Sequence, residues 1–423
     1  MFRSYFFILL ITVLILGQFL SWRLFLRSFD SKVYKRIVTI VFVVMNIGWG
    51  FTLWCIFTGD LMTGNLWTFL GRPIISWQFV HLLVIIPASL LAFLIYQVVR
   101  GSLWLLRRWK AKEKVKVEKE TAGEENIKPI LARRDFVKTC GGVGLFGILG
   151  LAGYGILRQT APPDTKSHTL RIPNLPRSLD GFSIAHISDI HLGLWSNQRE
   201  LALAVEEVSR HKPDMVIFTG DLVDHNPHLA SKYQQPIATF LSKVPYGVYG
   251  ILGNHDHHND PWLITKILND SGMRMLREER VNIEGLPLSL TGLDDQGYHQ
   301  SWLKRRKVVN EEGNKLLTFD LIKGPALREE DFKILLNHRP EGFRQAAVEE
   351  GYGLYLAGHT HGGQYALPGY TDINLARMIY KYNNGLYNEY GSFLNVSCGI
   401  AAVGIPFRFG PWPEFSMITL KRA

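Results

Sequence analysis

Acidic, amide and imidazole side chains recur directly after five apolar segments of the chain. The segments are "FSIAHIS", "MVIFTG", "VYGILG", "FKILLN" and "YGLYLAG". Carboxylate and imidazole are the ligands that suit borderline divalent ions such as Mn, Fe and Zn. Each pair alone is a weak signal, because a histidine in a glycine-rich turn is usually a solvated loop residue. Together they predict a metal site. The residues concerned are Asp189, His191, Asp221, Asp224, Asn254, His255, His338, His359 and His361.

Strands and helices alternate from about Leu170 onward, and this alternation would bring those residues together. The segment "NQRELALAVEEVSRH" places Leu201, Ala204, Val205 and Val208 on one helical face. The segments "LPLSLTGL", "SFLNVSC" and "EFSMITL" are predicted to be further strands. The pattern predicts an α/β domain with strands buried on both faces. Sheets of this class place their sites at the carboxyl ends of the strands.

The order of the motifs resembles that of the calcineurin-like metallophosphoesterase superfamily. The motifs are "SDIHLG", "GDLVD", "GNHD", a later histidine and "GHTHGGQ", followed by the tail "GIPFRFGPWPEFSMITL". Membrane-associated bacterial phosphoesterases are the most similar type. The resemblance covers roughly Ile172 to Leu420. It implies a two-sheet β-sandwich flanked by helices, with two divalent ions (Mn, Fe or Zn) about 3.5–4 Å apart.

The resemblance also implies a ligand set. Asp189, His191 and His361 would bind one ion. Asn254, His338 and His359 would bind the other, and Asp221 would bridge the two. A hydroxide bridging the ions would be the nucleophile, because metal ions bring the pKa of water down towards about 7.

His255 is implied to act as a general acid rather than as a ligand. Asp224, the second Asp of "GDLVD", would orient its imidazole and favour the imidazolium form. Phosphoprotein phosphatases of this superfamily carry an arginine directly after that motif, whereas this chain has His225. A phosphodiester or a diphosphate is therefore expected as substrate rather than a protein phosphate monoester. His225 is either a substrate-binding residue or a plain loop residue.

Two functions remain open at this point. The first is a metal-dependent phosphoesterase of the phosphodiesterase kind, acting on an envelope or lipid-linked compound. The second is a metal-binding membrane sensor without catalysis. The pair formed by Asp224 and His255 favours the enzyme, because a protein that only binds metal needs no general acid.

The first part of the chain predicts membrane attachment. Three uncharged stretches, Tyr5–Leu20, Ile37–Phe57 and Trp77–Val99, each approach the ~20 residues that a helix needs to cross a bilayer. We therefore expect three transmembrane helices in residues 1–99, a basic cytoplasmic linker in 100–138 and a fourth span in 139–158. The catalytic domain would occupy residues 168–423, after a polar tether, "RQTAPPDTKSH".

The distribution of charge sets the expected orientation. The net charge is +10, but residues 139–423 hold twenty-eight Lys and Arg against twenty-nine Asp and Glu. The basic excess lies beside the apolar stretches, as in cytoplasmic loops of membrane proteins. No nucleic-acid partner is expected. The prediction is a multi-pass protein of the cell membrane with an extracytoplasmic catalytic domain.

The fourth predicted span begins with a motif that resembles a twin-arginine export signal. Arg133 and Arg134 precede Phe136 and Lys138 in "ARRDFVKTCGGVGLFGILG". Such signals direct folded domains across a membrane, so the twin-arginine export machinery is an expected partner. Ordinary positive charge flanking a helix is the alternative. The catalytic part contains a single cysteine, Cys398, so no disulfide is expected within it.

Overall fold

The computed structural model describes two compact units. One unit comprises Met1–Asp60 and Pro73–Tyr154, and the other comprises Leu61–Arg72 and Gly155–Ala423. The described residues are 18–19, 22–23, 26, 31–58, 154–155, 157–193, 196–295, 317–319, 322–367, 370–404 and 408–423.

In the first unit, helix α1 covers Lys32–Thr58 and contains the second apolar stretch. Within the described ranges, no helix combines the length and apolar character that crossing a membrane requires. The predicted transmembrane region is therefore not supported by these residues. Most of the first stretch, the whole of the third, the linker 100–138 and most of segment 139–158 lie outside the described residues.

The described residues of the second unit form two six-stranded sheets and a two-stranded ribbon, β10–β11. The strands are β1 (Asp164–Ile172), β2 (Ser183–Ile187), β3 (Met215–Thr219), β4 (Val248–Ile251), β5 (Arg274–Met275), β6 (Glu279–Asn282), β7 (Leu288–Gly292), β8 (Phe332–Leu336), β9 (Leu354–Ala357), β10 (Ala366–Leu367), β11 (Tyr370–Asn374), β12 (Gly385–Glu389), β13 (Ser392–Val396) and β14 (Glu414–Arg422).

Both sheets are mixed. The first has the order β1-β14-β2-β3-β4-β5, and only the pair β14–β2 is antiparallel. The second has the order β12-β13-β9-β8-β7-β6, with antiparallel pairs at its two edges. The parallel centres require crossover connections. This arrangement confirms the predicted α/β class with two sheets.

The α-helices among the described residues of this unit are α2 (Gln198–Arg210), α3 (Gln234–Leu241), α4 (Asn254–His258), α5 (Pro261–Asp270) and α6 (Phe343–Val348). Four of them pack on the outer faces of the sheets, and the short helix α4 lies at the strand ends. Helix α2 begins with a capping box, in which Asn197 accepts an N–H and Glu200 accepts the N–H of Asn197. Its buried face matches the apolar spacing of its sequence, with Leu201, Ala204 and Val208 buried.

The hydrophobic core has three layers. The central layer joins the sheets, with Ile217 of β3 and Ile334 of β8 among its fully buried members. A second layer lies between the first sheet and helices α2, α3 and α5. A third covers the other face of the second sheet, beside α6. Strands such as β3 and β9 are therefore buried on both faces, which explains their uninterrupted apolar sequences.

Part of the predicted tether is instead a strand. Residues 164–172 form β1, which pairs in parallel with β14 along its whole length. The polar sequence "DTKSH" is half-buried or exposed throughout, which is why it resembles a polar connection. Its apolar end, Leu170 and Ile172, reaches the central core layer.

Candidate metal centre

The predicted site residues lie at the ends of five strands. Asp189 and His191 follow β2, and Asp221 and Asp224 follow β3. Asn254 and His255 open α4, directly after β4. In the second sheet, His338 follows β8, and both His359 and His361 follow β9. Because the two sheets share a core, these ends meet at one edge of the domain, as the sequence predicted.

The backbone at these positions is unusual. Positive φ angles outside glycine are uncommon, although Asp, Asn and His tolerate them better than most residues. Such conformations cost on the order of 1–3 kcal/mol each and concentrate at functional sites. Six of the predicted site residues adopt them: Asp189, His191, Asp221, His225, His359 and His361. Five of the six belong to the groups of neighbouring His and Asp side chains at this edge, and His225 is the exception.

The first ligand group contains Asp189, His191 and His361, whose nearest ligand atoms all lie within 4.8 Å of one another. The two histidine Nε2 atoms are 3.1 Å apart, and His361 Nε2 is 3.3 Å from Asp189 Oδ1. All three residues are buried. This group matches the set that the resemblance assigned to one ion.

The second ligand group contains Asp221, His338 and His359, again within 4.8 Å of one another. His338 Nε2 lies 3.1 Å from Asp221 Oδ2. Among the described residues, Asn254 Oδ1 is a buried atom without a hydrogen-bond partner, and His338 Nε2 is a buried atom that forms no well-aligned hydrogen bond although Asp221 is close to it. Buried polar atoms are normally satisfied. A divalent ion bound by these atoms would satisfy both, so the residues fit the implied second ion.

Asp221 lies between the two groups. Its Oδ2 is 3.1 Å from His338 Nε2 and 3.5 Å from His191 Nε2. Its Oδ1 accepts the backbone N–H of His255 at 2.8 Å. The imidazoles, of which His338 has the largest effect, hold the pKa of this buried carboxyl well below its usual range, against the opposing effect of burial. Asp221 is therefore a carboxylate next to both groups.

Three of the histidines share a hydrogen-bond pattern. The Nδ1 atom of His338 donates to the Thr219 carbonyl at 2.7 Å, and that of His361 lies 3.0 Å from the Ala401 carbonyl and 3.1 Å from Arg408 Nη2. His191 Nδ1 donates to Asp224 Oδ1 at 3.0 Å. Each Nε2 is then turned towards the carboxylates. Metal-binding histidines are oriented in this way, because the bond from one nitrogen fixes the tautomer that leaves the other as a ligand.

The pKa of His338 also reflects the density of negative charge. Burial alone would lower it, but the Asp221 carboxylate beside Nε2 raises it to about 9. Burial by itself would likewise lower the pKa of His191, and Asp224 raises it well above the ordinary value. A buried group of carboxylates needs cationic partners. Divalent ions would supply that charge and replace the protons on the imidazoles.

Asp224 contacts two imidazoles. Its Oδ1 accepts from His255 Nδ1 at 2.7 Å as well as from His191 Nδ1. His255 is the more accessible ring, with 32% of its side chain exposed. Burial would lower the pKa of His255, but the hydrogen bond to Asp224 raises it. Since both rings direct Nδ1 at this one oxygen, Asp224, His191 and His255 form a hydrogen-bonded fork.

His225 is exposed and belongs to none of the three His and Asp groups found among the described residues. Its substrate-binding role stays a prediction. His186, by contrast, is a fully buried histidine with both nitrogens in hydrogen bonds, to Thr219 Oγ1 at 2.8 Å and to Asn395 Nδ2 at 2.7 Å.

Three residues near the site were not singled out by their sequence. The Asp256 carboxylate accepts the N–H groups of Leu222, Val223 and Gly253 and so fixes the loops after β3 and β4. Burial and the nearby Asp221 raise its pKa to about 7. Arg339 and Tyr380 both contact His359. The final letter of "GNHD" could have pointed to Asp256, whereas nothing local distinguishes Tyr380.

Comparison with known proteins defines the class. The family model of calcineurin-like phosphoesterases matches residues 182–363. An uncharacterized metallophosphoesterase of Aquifex aeolicus (strain VF5) is 30% identical over 264 residues, which are 60% of this chain and 91% of that protein. The chain therefore belongs to the calcineurin-like phosphoesterase family, whose members bind divalent metal ions.

Two further relatives come from a bacterium and from a vertebrate. The uncharacterized metallophosphoesterase YkuE of Bacillus subtilis (strain 168) is 29% identical over 305 residues, covering 69% of this chain and 98% of that protein. A protein of Danio rerio named as a transmembrane protein with a metallophosphoesterase domain is 28% identical over 284 residues. That match covers 64% of this chain and 61% of the relative.

Proposed function

We propose that this protein hydrolyses a phosphodiester or a diphosphate with the help of two divalent metal ions. One observation carries the proposal: the Asp221 carboxylate lies 3.1 Å from His338 and 3.5 Å from His191, between two groups that each offer three ligands. A single-ion site would need only one of these groups.

The residues divide into two binding sets. Asp189, His191 and His361 would bind one ion. Asn254, His338 and His359 would bind the other, with Asp221 shared. Bound divalent ions supply an activated water at neutral pH and neutralise negative charge on the phosphoryl oxygens. The chain itself fixes the ligand geometry, because carbonyls and Asp224 orient the imidazoles.

His255 is proposed to give a proton to the leaving oxygen. Its ring is the accessible imidazole beside the ligand groups, with a centroid 4.6 Å from that of His191. The Asp224 carboxylate raises its pKa and directs Nδ1 inward, which leaves Nε2 to donate. This pair supports an enzyme over a metal-binding sensor.

The substrate class rests on charge. A phosphate monoester carries about two negative charges at neutral pH and is bound in related phosphatases by an arginine where this chain has His225. A phosphodiester carries less charge per phosphorus atom. An envelope or lipid-linked compound is proposed from the apolar stretches at the start of the chain, together with the transmembrane name of the Danio rerio relative.

The test is an Asp221→Asn variant of the full chain. Metal content measured by mass spectrometry should fall below two ions per chain, and hydrolysis of bis-p-nitrophenyl phosphate should be nearly lost. Asp214→Asn is the matched control, because that carboxylate accepts the N–H and hydroxyl of Ser183 away from the ligands. Two tightly bound ions with normal turnover in Asp221→Asn would contradict the proposal. Metal binding without any turnover in the unmodified protein would favour the sensor.

We also propose that the catalytic unit lies outside the cytoplasm and is attached to the membrane. A reporter that is active only in the export compartment, fused after Ala423, should then be active. If the twin-arginine machinery exports this unit, replacing Arg133 and Arg134 by lysine should retain the reporter in the cytoplasm. Activity of a cytoplasm-specific reporter at the same position would reverse the proposed orientation.

A further inference from the structure

Arg339 is a cation directed at the second ligand group. Its Nε donates to Asp295 Oδ2 at 2.8 Å, and one of its terminal nitrogens, Nη1, lies 2.7 Å from His359 Nε2. About a fifth of its side chain is exposed, at 21%. A guanidinium group has only hydrogen-bond donors. His359 Nε2 must therefore be the acceptor of this bond, and in the neutral ring Nδ1 carries the hydrogen.

This bond is incompatible with metal binding by His359. If Nε2 were the ligand, its lone pair would no longer be available to Arg339. If Nδ1 were the ligand, it would have to lose its hydrogen, and a neutral ring would then carry the hydrogen on Nε2. The Tyr380 hydroxyl, 2.9 Å from Nε2, could accept that hydrogen, but a guanidinium could not. Either way, Arg339 Nη1 loses its acceptor when His359 binds an ion.

The released donor would remain at the site, because the bond between Nε and the buried Asp295 stays in place. A second arginine of the described residues, Arg408, also contacts a ligand histidine, with its Nη2 3.1 Å from His361 Nδ1. Arg408 is fully buried and donates to the carbonyls of Cys398 and Ala401. Of these two arginines, only Arg339 has an accessible donor beside the ligands. Planar guanidinium groups match the geometry of phosphoryl oxygens.

We infer that Arg339 binds a phosphoryl oxygen of the substrate, and that metal loading of His359 makes its Nη1 available to do so. This inference rests on the proposed function, because it names the residue that binds phosphate in the same site. It assigns to Arg339 the role for which related phosphatases use an arginine after the second aspartate motif. Asp295 is a positioning residue that keeps the guanidinium at the site.

The experiment measures binding of inorganic phosphate to the metal-loaded full chain by titration calorimetry, so that it does not depend on turnover. Arg339→Gln should weaken phosphate binding about 10- to 100-fold, as expected for a charged hydrogen bond. Arg339→Lys should lose less, because it keeps the charge but not the fork. Metal content should stay at the wild-type value in both variants.

Arg277 provides a matched control. It also pairs with a buried aspartate, since its Nε and Nη2 donate to Asp294 at 3.0 and 2.8 Å. Its guanidinium lies over the Trp262 ring, 4.3 Å from the centroid, rather than beside a ligand histidine. Arg277→Gln should therefore leave phosphate affinity unchanged within about twofold, which corresponds to less than 0.5 kcal/mol.

A chemical rescue separates substrate binding from a structural role. Free guanidinium ion at millimolar concentration should partly restore phosphate affinity to Arg339→Ala, and should have no such effect on Arg277→Ala. Unchanged phosphate affinity in Arg339→Gln would overturn the inference, and so would loss of metal, because Arg339 would then only position His359. Normal phosphate binding without ester hydrolysis in the wild type would overturn the proposed function and leave this inference standing.

Discussion

His255 and Asp224 should respond differently to substitution, although both belong to one hydrogen-bonded fork. His255→Asn removes the proposed proton donor and leaves every proposed metal ligand in place. Asp224→Asn removes a carboxylate that contacts His255 at 2.7 Å and His191 at 3.0 Å. It therefore perturbs the acid and a metal ligand together. Asp224 thus contacts a proposed metal ligand in addition to His255, the residue that the resemblance implied it would orient.

The expected magnitudes follow from these contacts. A positioned general acid contributes about 10²- to 10⁴-fold, or about 3–5.5 kcal/mol of barrier. A loss of this size is expected for an alkoxide leaving group, which must be protonated as it leaves. The p-nitrophenolate group leaves without a proton, so its hydrolysis should be affected much less. Loss of a carboxylate that orients a metal-binding histidine costs about 10- to 100-fold in metal affinity or activity. Asp224→Asn should therefore lose about a further 10- to 100-fold in activity on both kinds of substrate, in addition to the effect on His255.

The assay compares two diesters that differ in their leaving group. Rates with an alkyl phosphodiester and with bis-p-nitrophenyl phosphate are measured for the wild type, His255→Asn and Asp224→Asn, together with metal content. His255→Asn should lose the alkyl activity, retain most p-nitrophenyl activity and retain its metals. Asp224→Asn should lose both activities and bind metal less tightly. His211→Asn, an exposed histidine near Thr165, is the control.

Equal losses of His255→Asn on both substrates, or loss of metal in that variant, would make His255 a ligand or a substrate-binding residue. An Asp224→Asn variant with wild-type metal affinity would show that its bond to His191 has no effect on the ligand. The His255→Asn result would mean that another residue donates the proton. The Asp224→Asn result would mean that Asp224 acts on His255 only.

Two further predictions concern stability and metal content. Burial lowers the pKa of His186 to about 3, so the unfolded chain takes up a proton below its ordinary pKa of about 6.5 and the folded protein does not. The free energy of unfolding should therefore decrease as the pH is lowered through that window, by about 1.4 kcal/mol per pH unit, or by about 2 kcal/mol between pH 6.5 and 5. Urea unfolding of His186→Gln at several pH values should show a loss of unfolding free energy that is smaller by about 2 kcal/mol over the same range. An unchanged dependence of the unfolding free energy on pH would contradict the lowered pKa of His186. Gly358→Ala should lower metal content without unfolding the protein, because the new Cβ would overlap the Ser188 hydroxyl and the Asp189 carboxylate. Metal analysis and circular dichroism test this, and a fully loaded variant would mean that the carboxylate is not a ligand.

The sequence by itself predicted the parts of the site that are local to one strand end. Each motif combines an apolar strand with the ligand letters directly after it, as in "YGLYLAGHTH". A strand buried on both faces must be apolar throughout, and its carboxyl end lies at the sheet edge. The α/β class and the meeting of nine residues at one edge could therefore be expected, whereas the two-sheet arrangement was expected only from the resemblance to the family. The separate roles of the residues remain predictions.

The tertiary structure decided the contacts between distant segments. Asp224 reaches His191 as well as His255, and Arg339 and Tyr380 meet at His359. Hydrophobic periodicity reports whether a residue is buried but not which side chain it faces. Such pairs depend on how the two sheets pack and on the positive φ angles at their ends.

Strand β1 shows the same limit at the level of secondary structure. Residues 164–168 are polar and follow two prolines, so their sequence resembles a tether. They become a strand because β14 offers a free edge with matching backbone groups over nine residues. Backbone hydrogen bonds do not depend on side-chain type, and so a polar edge strand carries little signal of its own. The sequence determines which segments can be buried, whereas only the folded chain determines which edges pair.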